Sequence, residues 1–170
     1  MFKGTYHHRI DGKGRLPVPA AFRRSLAAER ASSLVVTLLD QCLACYPPAE
    51  WARLEAQLQA LPAFSRPVKA LVRVLVSRAS DCGIDGQGRV LVPHLLREGA
   101  GLRQDVVVVG VLNRFEVWAP ETWDALLRDS ERLLEDTTLE VQWPLPPSPL
   151  APHSSEARPG AALPQPKSKR

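Results

Sequence analysis

Cysteine, methionine and aromatic residues are all scarce: three cysteines, one methionine and ten aromatic rings in 170 residues. Nor is there an apolar run approaching the about 20 residues that span a bilayer. The opening Met1-Phe2-Lys3-Gly4 does not begin a secretory leader. A cytoplasmic protein with no membrane partner is therefore expected. An odd number of cysteines without an export signal argues against a disulfide scaffold. Cys42-Leu43-Ala44-Cys45 has the C-x-x-C form, but it lies in a strand-like run, where positions three apart point to opposite faces. No second C-x-x-C or nearby His pair completes a zinc site. Buried thiols are the expectation, with no metal and no other cofactor.

Catalytic constellations are missing too. His7 and His8 adjoin on a predicted strand and face opposite ways, so no Ser-His-Asp or Cys-His arrangement is suggested. Asp11 and Asp85 invite comparison with a carboxylate dyad, yet each is followed by Gly and has an Arg nearby that would hold it ionised. Gly12-x-Gly14 is followed by Pro17 and a strand, which excludes a dinucleotide fingerprint. No Gly-Lys-Ser/Thr follows to make a phosphate loop. Asp81, Asp85 and Gly86 imitate part of a calcium loop, but Val92 stands where the bidentate Glu belongs. No catalytic residue and no small-molecule substrate is expected.

What the chain does contain is a stretch that occurs twice. Ile10-Asp11-Gly12-Lys13-Gly14-Arg15-Leu16-Pro17-Val18-Pro19 returns as Ile84-Asp85-Gly86-Gln87-Gly88-Arg89-Val90-Leu91-Val92-Pro93, with seven of ten positions identical. Tyr46 and Glu50-Trp51 similarly match Trp118 and Thr122-Trp123. Such spacing marks an internal duplication of a β-β-α-β-β-α unit. Each copy is read as strands Thr5–Ile10 and Arg15–Val18, or Ser80–Ile84 and Arg89–Val92, making a hairpin with a glycine-rich tip. A short helix follows Pro19 or Pro93. The next hairpins turn at Asp40-Gln41 and Asn113-Arg114. Helices open at Pro48 and Pro120, with Trp51, Leu54, Leu58 and Leu61 on one apolar stripe and Trp123, Leu126, Leu127, Leu133 and Leu134 on the other. A further amphipathic helix covers Pro67–Ser77. From Trp143 onward Pro, Ala and Ser dominate, and a disordered tail is expected over 143–170.

Charge is polarised along this plan. Residues 1–24 carry Lys3, Arg9, Lys13, Arg15, Arg23 and Arg24 against Asp11 alone, whereas residues 115–143 carry eight carboxylates against Arg128 and Arg132. A local anionic partner fits such a distribution. Turn chemistry accounts for Asp11, Gly12 and Gly14, and for Asp85, Gly86 and Gly88. It does not require Arg15 or Arg89. An Arg beside a glycine-thin tip can grip phosphate or contact guanine bidentately. The candidate contacts are therefore Arg15 and Arg89, joined by Lys13 and, at the second tip, Gln87, with help from Lys3 and Arg9. Phosphate would repel Asp11 and Asp85, which are assigned to capping the turns and orienting the guanidinium groups.

The repeated Asp-x-x-Gly-Arg elements, Met1-Phe2-Lys3-Gly4 and Glu50-Trp51 resemble the MraZ family from residue 1 to about residue 135. The resemblance implies an α+β chain with two AbrB-like (SpoVT/AbrB) swapped-hairpin β-barrel units and flanking helices. The first unit would cover 5–50, connecting helices 51–78, the second unit 79–122 and a C-terminal helix 123–138. It also implies a transcription regulator, nucleoid-associated, that binds short direct repeats in double-stranded promoter DNA of the division and cell-wall gene cluster. Self-assembly into a closed homo-oligomeric ring is implied as well. The Asp-x-x-x-Arg signature falls on Asp11/Arg15 and Asp85/Arg89. The competing reading is an AbrB-like protein-interaction module that docks partners through its Trp51 and Trp123 helices.

Overall fold

A computed structural model describes residues 1–136; the tail expectation for 143–170 and the last two residues of the helix expected over 123–138 lie outside them. In chain order the elements are β1 (Phe2–Arg9), β2 (Arg15–Pro17), α1 (Ala20–Ala28), β3 (Ser33–Leu39), β4 (Cys42–Tyr46), α2 (Pro48–Gln59) and α3 (Arg66–Val76). They continue as β5 (Ser80–Gly83), β6 (Arg89–Leu91), α4 (His94–Gly99), β7 (Asp105–Leu112), β8 (Arg114–Trp118) and α5 (Pro120–Asp136). The chain is mixed α+β, and every strand pairing is antiparallel. Among the described residues no helix is long and apolar enough to cross a membrane.

Proline sets the start of most helices. Pro19, Pro47 and Pro93 immediately precede α1, α2 and α4, and Pro48 and Pro67 occupy first-turn positions of α2 and α3. There the missing N–H costs nothing, because the first-turn donors have no helical partner.

One expectation fails instructively. β1 and β2 do not pair as a hairpin. β1 pairs instead with β7, from Phe2↔Leu112 to Arg9↔Asp105, and β2 pairs with β6. β5 of the second copy pairs with β3 of the first. The six-stranded sheet runs β1-β7-β8-β4-β3-β5, with β2-β6 a separate ribbon. Each copy thus places its first strand beside the other copy's sheet. Local turn residues show that the chain reverses, but not which strand the emerging segments meet. β1 also begins earlier than the sequence suggests, at Phe2, because β7 offers backbone partners along its whole length. The turn between β7 and β8 is Leu112-Asn113 rather than Asn113-Arg114, since Arg114 already pairs with Val111 and Leu112 takes φ of 69°.

The main core joins both copies. Phe2, Phe22 and Phe115 meet with ring centroids 5.2 to 5.5 Å apart, and Tyr6 stacks edge-on against Phe22 at 5.0 Å. Leu16, Leu34, Val36, Leu43, Val90 and Val108 complete the same buried cluster. β3 and β4 read as continuous apolar runs because they are covered on both faces. Val36 and Leu43 face the main core, while Val35, Ala44 and Tyr46 pack with Trp51 of α2 and Leu75 of α3. Cys42 and Cys45 fall in different clusters, on opposite faces of the sheet.

The apolar stripe of α5 is not covered in the same way. Trp123 packs near Trp118, but Leu126, Leu127, Leu133 and Leu134 are exposed. α3 buries only Leu75 fully and leaves Leu71 and Val74 exposed.

Candidate nucleic-acid interface

The two copies of the repeated tip meet at the β2–β6 ribbon. Three residue pairs hold it: Arg15↔Leu91, Leu16↔Val90 and Pro17↔Arg89. Because side chains alternate along a strand, burying Leu16 and Val90 turns Arg15, Pro17, Arg89 and Leu91 to the other face. The antiparallel pairing puts the tips at opposite ends of the ribbon. The two arginine positions are offset by two residues of strand, about 7 Å at the usual rise. The ends are fastened reciprocally, with Val18 N–H donating to Gly88 O and Val92 N–H to Gly14 O, both at 3.0 Å.

Each tip is a closed turn built on its aspartate. Asp11 N–H donates to Arg15 O at 3.0 Å and Gly14 N–H to Asp11 O at 2.8 Å. Asp11 Oδ1 accepts from the backbone N–H of Lys13 and of Arg15, both at 2.9 Å. Asp11 Oδ2 accepts from Arg15 Nε at 2.6 Å. The second tip repeats the set: Asp85 Oδ1 accepts from Gln87 N–H at 2.9 Å and Arg89 N–H at 3.0 Å. Arg89 donates to Asp85 Oδ2 from both Nε (2.9 Å) and Nη2 (2.8 Å). The arginines are thus tied to the aspartates that were expected to orient them. The ties differ: Arg15 commits Nε to its carboxylate, whereas Arg89 commits Nε and Nη2.

These bonds hold both carboxyls below the ordinary carboxylate range. For Asp11 the backbone N–H of Arg15 contributes most, then the Arg15 side chain and the Lys13 N–H. For Asp85 the Arg89 side chain leads, followed by the Arg89 N–H. Each Asp–Arg pair is then close to neutral as a unit, and any surplus positive charge at the tips must come from other residues.

The glycines divide into two kinds. Gly14 and Gly88 have φ of 85° and 73°, the left-handed region that glycine adopts without strain. Gly12 and Gly86 are in neither that region nor close quarters; a methyl group built on either meets nothing within 4 Å. The turn does not need glycine there. Its effect is to leave the exposed apex bare.

The other candidates are distributed unevenly. Lys13 and Gln87 stand exposed at the tips. Arg9 lies beside the first tip but is paired with Asp105 at 3.0 Å, both well exposed. Lys3 sits near the far end of β1, opposite Val111. Six residues of strand, about 20 Å, separate it from Arg9. Two arginines outside the sequence-based set do reach the tips. The Arg97 guanidinium lies against Gly14, and Arg23 lies against Gly88. The signal for them was available, since Arg23 and Arg97 are separated by the same 74 residues as Arg15 and Arg89.

Among the described residues no cluster of three His, Cys, Asp or Glu side chains is placed to hold a metal. Burial pushes the thiols of Cys42, Cys45 and Cys82 up, away from the reactive thiolate.

The sequence model described as "MraZ protein, putative antitoxin-like" matches the chain twice in succession, over residues 1–74 and 75–141. The chain belongs to the MraZ family. A Ligilactobacillus salivarius protein called transcriptional regulator MraZ is 46% identical over 137 residues, covering 80% of this chain and 93% of its own length. The transcriptional regulator MraZ of Syntrophobacter fumaroxidans is 42% identical over 127 residues, covering 75% and 85%. That of Desulforamulus reducens is 44% identical over 135 residues, covering 79% and 93%. The first MraZ match ends inside α3, so each match contains one tip, one short helix and one sheet hairpin.

Proposed function

We propose that this chain regulates transcription by binding double-stranded DNA through the β2–β6 ribbon, with Arg15 and Arg89 as its principal contacts. The observation that carries the reading is the pair of turns at the ends of one ribbon, each aiming an arginine to the outer face past a bare glycine apex. A two-stranded ribbon is one of the shapes a major groove admits. The names of the relatives, transcriptional regulators all, support the same reading. Arg15 is the stronger grip, because its Nη groups stay outside the bond to Asp11. Lys13 and Gln87 flank the contacts, and Arg9 and Lys3 act at most on neighbouring phosphates. Asp11 and Asp85, with Gly14 and Gly88, hold the turns. Gly12 and Gly86 let the backbone come close.

The finer expectations belong to the same proposal. The target is a set of short direct repeats in the promoter of the division and cell-wall gene cluster, reached in the cytoplasm at the nucleoid. The exchange of first strands between copies supports a tandem pair of AbrB-like swapped-hairpin units. On that reading the units cover 5–50 and 79–122, with 51–78 as connection. A ring of subunits would present several ribbons to successive repeats, and avidity would follow from effective concentration. The uncovered leucines of α5 supply apolar surface for contact between subunits. They also suit the competing reading, a module that docks a protein partner. Electrophoretic mobility shifts with a duplex carrying the promoter repeats separate the two. Wild-type protein should bind in a salt-dependent manner and Arg15→Ala should bind at least about tenfold more weakly, the loss of one good arginine contact. Retention of a stoichiometric protein partner without DNA would favour docking.

A further inference from the structure

α1 leaves the end of β2, and α4 leaves the end of β6. In an antiparallel ribbon the end of one strand lies beside the start of the other, so each helix begins next to the opposite copy's tip. The Val18–Gly88 and Val92–Gly14 bonds fix that neighbourhood. Arg23 of α1 and Arg97 of α4 then cross over. A methyl group built on Gly14 would lie 2.9 Å from Arg97 Nη2, 3.0 Å from Cζ and 3.1 Å from Nε. Near-equal distances to three guanidinium atoms mean that the flat face of the group covers the glycine. Arg97 is itself anchored, its Nε donating to Val92 O at 3.1 Å. On the other side Arg23 lies against Gly88 with an edge rather than a face, Nη1 and Cδ being nearest and Cζ farther. Gly14 and Gly88 are both buried, although the apices beside them are exposed. Among the described residues neither Arg23 nor Arg97 forms an ion pair.

We infer that Arg23 and Arg97 are positioning residues, crossed braces by which each copy's helix holds the other copy's tip in its binding shape. The brace deepens the DNA-binding reading and takes its functional meaning from it. At Gly14 a guanidinium suits the task because it is planar and packs flat, whereas a lysine ammonium offers charge without a face. Each tip then depends on the other copy, and neither is held in shape by its own copy alone. The arrangement also sets a second role for the turn glycines, since any side chain there would displace the brace.

Amide hydrogen exchange on the full chain tests the brace without DNA. Arg97→Ala should speed exchange of the bonded amides of residues 13–15 by about tenfold while leaving 87–89 unchanged, as a local opening confined to one tip would. Arg23→Ala should do the reverse, and in both variants the β7–β8 amides should keep wild-type protection. Arg97→Lys should fail to restore protection or affinity for the promoter duplex. Faster exchange in the same copy's tip, or in neither tip, would overturn the inference. So would full rescue by lysine, which would leave only a charge contribution. If the exchange pattern holds but wild-type protein ignores DNA, the brace stands and the DNA-binding reading alone is lost.

Discussion

At the level of single residues, the tips separate aim from attraction. Asp11 carries a charge that repels phosphate, yet it orders three donors, two from the backbone and one from Arg15. If net charge decided binding, Asp11→Ala would bind DNA more tightly. On the proposed reading aim outweighs charge, so fluorescence-anisotropy titration should find Asp11→Ala weaker by about tenfold, as for loss of one well-placed arginine contact. Acid should act through the same bonds. The carboxyls of Asp11 and Asp85 are depressed in the folded chain, so their contribution is complete above the unfolded value near 4 and is lost as pH falls through the lower folded value. NMR chemical shifts of the Lys13 and Gln87 amides should therefore stay constant from about pH 8 to 5 and move only below about pH 4. The glycines give a further contrast. Gly12→Ala should leave thermal stability unchanged, because nothing lies within 4 Å of the added methyl, but should weaken DNA binding by removing the bare apex. Gly14→Ala should lower stability itself, through its positive φ and its contact with Arg97.

At the level of elements, short-range signals carried well and pairing did not. Proline before a helix and Asp-Gly at a turn act within a few residues, so the duplicated β-β-α-β-β-α order was legible from the sequence. The partner of β1 was not, because Thr5 to Arg9 would alternate inward and outward against any neighbouring strand. Only the assembled core, with Phe2 set against Phe22 and Phe115, selects β7. The candidate site shows the same division. Arg15, Arg89 and the two aspartates stood out as a repeated motif, while Arg23 and Arg97 lie on helices and reach the tips only because the ribbon is antiparallel. The ribbon itself is short, and its hold on the core is Leu16 and Val90, both fully buried. Leu16→Ala should cost about 2–5 kcal/mol in urea denaturation, the range for emptying a packed leucine site. The edge pairing is equally close. A side chain at Gly110 would run into the backbone of Phe2 and Lys3, so Gly110→Ala should destabilise the chain by about 1–3 kcal/mol and expose β1 amides to exchange.

For the molecule as a whole, a basic N-terminal segment and an acidic stretch over 115–143 share one chain, and the charge that matters is local. One ribbon offers few cations, and each phosphate contact adds only about 0.9 to the dependence of log affinity on log salt. On the proposed reading tight binding would draw on several ribbons acting together, so assembly and DNA recognition are tested together. Replacing Leu133 and Leu134 by Asp should reduce the particle mass in light scattering and, with it, the affinity for multi-repeat DNA, while leaving the tip turns intact. The most direct measurement is a titration of a duplex carrying the promoter repeats with wild-type and Arg15→Ala protein across a salt series. The account predicts a complex that weakens steeply with salt, and an Arg15→Ala variant at least about tenfold weaker, as for loss of one bidentate contact. Equal affinity of the two proteins at every salt concentration would contradict it.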